Sequence, residues 1–235
     1  MYPLLLKGGS DEVMAMTLDL ALAFGIPMAV GAAVLATPIL HILNPTYLDA
    51  STALGILAIA ALVNTVSSVF DQTLIGKDRV DVDESAKLRD YLRSSILFVA
   101  MVDLALAATY LFSVYLTTTY GLSAGLSIGA TLDVWALAQL GVFTFFIFVK
   151  AARIRRVGKL TIPRSVGYYV VGAGIMAAVL VLLEPFILYH KGTFFLAFEL
   201  VLVSGVGLVA YGAFVLALDK NLRGFFRRAI REGFV

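Results

Sequence analysis

The sequence predicts an all-α membrane protein with six transmembrane helices and both termini on the cytoplasmic side. Three observations carry that expectation. The residues are 60% hydrophobic and only 14% charged, with a mean hydropathy of +0.94. The apolar residues fall into blocks of about 20, the length a helix needs to cross the hydrocarbon core. Backbone groups in hydrocarbon must bond within their own segment, which helices of that length achieve and isolated strands do not.

Six spans are expected, at 18–40, 51–70, 95–116, 122–149, 165–183 and 193–218, which makes 1–218 one six-helix lobe and 219–235 a separate tail. Placing basic residues in the connections sets the orientation. Lys7, the segment from Lys77 to Arg93, the segment from Lys150 to Arg164 and the tail from Lys220 hold every Lys and Arg except Lys191. An excess so one-sided marks the cytoplasmic face, and the expected location is the cell membrane. The net charge of +2 adds little, and with no Cys and two His a disulfide framework or a Cys/His metal cluster is not expected. The start, MYPLLL, is too short for a signal peptide and runs into Lys7 and a polar stretch, so no cleaved leader is expected.

Taken in order, the first span contains Pro27 and Pro38 with Gly25 and Gly31 nearby, so it bends. The bend is either a packing kink or a moving part. The second span carries Asn64 at mid-depth and Asp71 near its cytoplasmic end, where a solvated carboxylate is the simpler reading. The third and fourth spans turn at Tyr120 and Gly121, and Gly121, Gly125 and Gly129 recur every four residues. That spacing predicts a strip without side chains, for close approach of another helix.

Asp103 and Asp133 are the deep carboxylates. Folding the hairpin about Gly121 sets Asp103 level with Gln139, and Asp133 level with Thr109 beside Tyr110. The acids then differ in depth by about 9 Å, too far to share a proton. No Lys or Arg lies mid-span, so cavity lining, ion coupling and interhelical hydrogen bonding all remain open for Asp103, Asp133, Gln139 and Asn64.

The stretch from Lys150 to Arg164 forms a basic collar, and Arg153, Arg155 and Arg156 are expected to meet anionic headgroups. Tyr168 and Tyr169 serve as interface anchors at the start of the fifth span, and Glu199 in the sixth is shallow enough to be solvated. In the tail, Leu222, Phe226 and Ile230 share a stripe beside Arg223, Arg227 and Arg231; with Arg228 this reads as an amphipathic surface helix. The one catalytic spacing is Asp81-Val-Asp83, a cation-holding pattern close to chance in so acidic a loop. Nothing beyond charge supports a nucleic-acid partner, no cofactor motif is present, and an enzyme is not expected.

The run from Ile26 through Pro27 and Pro38 to Asn44-Pro45-Thr46-Tyr47-Leu48-Asp49-Ala50 resembles the seventh helix and following turn of polysaccharide-biosynthesis flippases, in the multidrug/oligosaccharidyl-lipid/polysaccharide exporter superfamily. Their Gly-x-x-Tyr-x-x-Ala turn has Asn44 in place of the Gly here, while Tyr47 and Ala50 match. YGLSAGLSIGAT at 120–131 is similar to the turn into their tenth helix, and Tyr2 to Leu5 to the end of the loop joining their lobes. The resemblance implies a carboxy-terminal six-helix lobe, one of two that rock about a central cavity and move a lipid-linked oligosaccharide. Its partner would be an amino-terminal half, another chain or a second copy, together with membrane lipid. Cations for a lipid pyrophosphate would come from that second lobe. The alternative is a structural or accessory subunit of a membrane complex that does not transport.

Overall fold

The computed structural model describes residues 10–78, 87–157, 163–187, 192–219 and 222–224. Eight α-helices occupy these segments: α1 (Ser10–Val34), α2 (Ala36–Leu43), α3 (Ser51–Lys77), α4 (Leu88–Arg93), α5 (Ser95–Ser123), α6 (Ile128–Val157), α7 (Val166–Leu183) and α8 (Thr193–Leu218). Six of them, all but α2 and α4, are long and apolar enough to cross a membrane. The chain is therefore a multi-pass membrane protein in its architecture. Expected and observed spans agree in number and differ at their ends: the first crossing segment begins at Val13, and α6 continues unbroken past Val149 to Val157.

Proline decides where the first crossing segment breaks. Pro38 lacks the N–H that would bond to Val34, and its ring crowds that carbonyl. α1 accordingly ends at Val34 and α2 restarts at Ala36, with Leu35 between them at φ −91°, ψ 15°. Pro27 is different, because it lies within an unbroken α1. The carbonyl it leaves free is that of Ala23, and the Tyr211 hydroxyl of α8 donates to that oxygen at 2.5 Å. A freed backbone acceptor in the bundle interior has thus been matched by a side chain from another helix, as apolar surroundings require.

The helices form two groups of three. α1, α7 and α8 enclose one core, built on Ala23, Ile26, Ala173, Met176, Tyr211 and Val215. α3, α5 and α6 enclose the other with the start of α1, built on Met14, Leu18, Val69, Phe70, Leu74, Val99 and Ile154. The extensive α1–α3 contact joins them. Glycines let α7 and α8 approach: Gly172 lies under Val215, Tyr211 and Phe214, and Gly207 under Leu180 and Met176. A Cβ at either would sit 2.8–3.2 Å from those side chains. Elsewhere large apolar residues face outward, among them Leu104, Phe112, Phe148, Phe194 and Val209, which suits a lipid surround rather than water.

The α5–α6 turn lies four residues beyond its expected start. α5 runs on through Tyr120 and Gly121 to Ser123, and the chain reverses around Gly125, whose φ of +70° is the left-handed conformation that favours glycine. The three glycines consequently do not share one helical strip. Gly121 sits in α5 against Thr131, Gly125 makes the turn, and Gly129 in α6 packs on Asp49, where a Cβ would come within 2.7 Å of the Asp49 carbonyl oxygen. That contact brings the α5–α6 turn beside the short 3-10 segment Pro45–Ala50, opened by Asn44, whose side chain accepts from the Thr46 N–H at 3.0 Å.

Candidate functional site

Two polar centres lie at the basic end of the bundle, one in each helix triplet. The first is built on Lys150. Moving the hairpin turn toward Gly125 shifts every cross-pair of α5 and α6, so Asp103 meets Lys150 and not Gln139, about three turns further along α6. Lys150 itself is 2% exposed. Its ammonium donates to Ser67 Oγ at 3.0 Å, Asp71 Oδ2 at 2.7 Å and Asp103 Oδ1 at 2.8 Å. An ammonium has three protons, and all three are committed here.

Several expectations are corrected by this geometry. Lys150 does not belong to the solvated collar. Asp71 is no free interfacial carboxylate: it is 18% exposed and ion-paired. Asp103 has the cationic partner that the spans were expected to lack, and its side chain is 52% exposed on the outer surface of the bundle. The chemical reason is the length of α6, which carries Lys150 inside an apolar helix whose basic end begins only at Arg153. The missing cue was local: Lys150 is flanked by Val149, Ala151 and Ala152, and Ser67 and Asp71 are four apart, on one face of α3.

Asp133 and Gln139 take no part in this centre. Asp133 lies 17 residues before Lys150 on α6, about 25 Å along the axis, so the two acids are much farther apart in depth than 9 Å. Asp133 Oδ1 and Gln139 Oε1 are both buried without a hydrogen-bond partner among the described residues. The structure does not bring these two together with Asp103.

Asn64 lies on α3 with its side chain exposed. Ala61, Asn64, Thr65, Ser68 and Gln72 are all exposed and follow one face of α3, within the segment Pro45–Lys77 that is long enough to cross the membrane. Thr65 and Ser68 return their hydroxyl protons to the carbonyls of Ala61 and Asn64. Asn64 and Gln72 present amides outward. This polar face leads to Asp71, and hence to the Lys150 centre.

The second centre is built on Tyr169, which is fully buried and so is not the interface anchor expected; Tyr168 beside it is exposed. The Tyr169 hydroxyl lies 3.0 Å from Asp19 Oδ1 and 2.9 Å from Asp219 Oδ2. The hydroxyl has one proton, which can point to only one of the two carboxylates at a time. Ser165 also donates to Asp19 Oδ1, and the Leu222 N–H to Asp219 Oδ1 at 3.2 Å. A cavity of about 760 Å³ beside these groups is lined by Asp19, Arg164, Ser165 and Asp219 with apolar Met16 and Leu20. Asp19 and Asp219 drew no attention in the sequence because each stands alone at the edge of an apolar run.

Of the expected headgroup-binding residues, Arg155 and Arg156 are exposed at the end of α6. Arg153 instead lies over the Phe98 ring at 5.3 Å and donates to the Arg93 carbonyl at 3.4 Å. Arg223 turns back to donate to the carbonyls of Leu216 and Ala217, which closes the last turn of α8. Arg227 and Arg228, the Asp81–Asp83 pattern, Lys191 and residues 2–5 lie outside the described residues. No protein-family model, curated protein or solved structure matches the chain.

Proposed function

We propose that this chain is one lobe of a membrane transporter that carries a lipid-linked oligosaccharide or polysaccharide precursor across the cytoplasmic membrane by alternating access. The observation that supports the reading is the exposed polar face of α3, Asn64-Thr65-Ser68-Gln72, on the helix whose Asp71 shares Lys150 with half-exposed Asp103. Amides and a carboxylate are costly against hydrocarbon, about 2.5–3.5 kcal/mol for an Asp at mid-helix. A water-filled cavity between two lobes removes that cost. The break at Leu35 fits a first crossing segment whose two parts can tilt.

Lys150 has no proton left for a substrate phosphate, so it serves to hold α3, α5 and α6 together, and the cations that meet a pyrophosphate come from the facing lobe. The test is movement of a fluorescent lipid-linked oligosaccharide in proteoliposomes, with any lobe that copurifies included. Transfer faster than in empty vesicles, slowed by Ser68→Leu, is expected. Transfer at the empty-vesicle rate, together with fixed-stoichiometry copurification with unrelated membrane chains, would point instead to an accessory subunit.

A further inference from the structure

The Lys150 centre sets two carboxylates against one ammonium, and the excess charge is at the surface. Asp71 and Asp103 share Lys150, whose third proton goes to Ser67. Asp103 is half exposed, and its Oδ2 has no partner among the described residues. Arg153, one turn beyond Lys150 on α6, is turned away to Phe98 and Arg93. We propose that the side of α5 bearing half-exposed Asp103 docks a transmembrane helix from outside these 235 residues, and that this helix places a Lys or Arg against Asp103.

Charge complementarity selects this occupant. A second copy of the chain would bring the same half-exposed Asp103 to the interface and meet like charge with like. A purely apolar helix would bury a carboxylate whose one cation among the described residues is already shared. A basic residue supplies a cation that the described residues around Asp103 do not provide beyond the shared Lys150. The inference rests on the reading of this chain as one lobe that meets a second unit, and it adds the chemistry of the partner at one position.

The experiment uses the full chain in the membranes of its source cell, with a photo-crosslinking amino acid at exposed Ala100, one turn before Asp103. The expected product is a crosslink to an apolar spanning segment with a Lys or Arg within about one helical turn of the linked residue. Its yield should fall about tenfold or more with Asp103→Lys and recover when the partner's basic residue is changed to Glu. Asp103→Asn, which keeps an oxygen acceptor for Lys150, should fold normally and give an intermediate yield. Crosslinks to a second copy, to lipid alone or to a segment without a basic residue would overturn the proposal, as would a yield indifferent to Asp103→Lys. Single cysteines at 64 and 68 separate the two ideas: if they react with polar thiol reagents while the crosslink fails, the cavity stands and the partner cation falls.

Discussion

The two polar centres handle the same problem, carboxylates inside an apolar bundle, by opposite means. Around Lys150 a cation is drawn in to meet the acids, and one acid stays open to the surface. Around Tyr169 a neutral hydroxyl lies between Asp19 and Asp219, and Ser165 and the Leu222 N–H also donate to these acids. The difference teaches what each triplet of helices can do. An ion-paired centre resists loss of its cation but tolerates a wet face, whereas a hydrogen-bonded one depends on the count of protons. The first ties α3, α5 and α6 together, and the second ties α7 to α1 and to the end of α8.

The largest effect should come from breaking the first centre. Lys150→Met leaves two carboxylates without their cation and is expected to destabilise the protein by about 3–5 kcal/mol, read as loss of folded protein in a thermal unfolding series in detergent. The exposure of Asp103 lowers that figure toward its bottom end. Adding Asp71→Asn and Asp103→Asn should restore most of the loss. Failure of the triple variant to recover would show that Lys150 matters for packing and not for charge.

Next comes the second centre. Tyr169→Phe removes the bridging proton and should cost about 1–3 kcal/mol. Asp19→Asn supplies N–H donors and removes one of the facing charges, so it should cost less than Asp71→Asn, which weakens an ion pair. Equal effects of the two Asn variants would erase the contrast between the centres.

A smaller effect concerns the carbonyl that Pro27 frees. Tyr211→Phe strips the Ala23 carbonyl of its donor and should cost about 1 kcal/mol. Pro27→Ala provides an N–H for the same oxygen, so the double variant should be more stable than the two single effects added together. Strict additivity would show that the hydroxyl does not serve the freed carbonyl.

The last comparison, which ends on the smallest effect, sets a glycine in contact against one in open space. Gly129→Ala places a Cβ against the Asp49 carbonyl and should cost about 1–3 kcal/mol. Gly141→Ala meets nothing within 4 Å and should be neutral or stabilising by up to about 1 kcal/mol. Equal melting temperatures for the two would contradict the packing of the α5–α6 turn on Asp49.

These contrasts also mark what could be read from the residues alone. Six spans were legible because lipid imposes length and apolarity on every crossing helix, whatever its neighbours. Asn44 acted locally, so the turn could be placed, whereas two prolines in one span marked a bend without telling which of them would break the helix. The polar centres were not legible, because they depend on register between helices. A turn read at Gly121 instead of Gly125 carried Asp103 to Gln139 and left Lys150 in the headgroups. Gly121 and Gly125 look alike in sequence, yet one is required by a neighbour, Thr131, and the other by a positive φ. Tyr169 was misplaced for a related reason: its burial follows from Asp19 and Asp219, which are 150 and 50 residues away in the chain.

The central claim, that the polar face of α3 lines water within the membrane, has a direct measurement. The chain has no Cys, so single cysteines at 64, 68 and 72 can be compared with cysteines at 104 and 112 on the apolar surface of α5, using a membrane-impermeant maleimide in sealed vesicles of each orientation. The account predicts labelling at 64, 68 and 72 from at least one side and none at 104 and 112. Uniform protection of all five positions from both sides would contradict it.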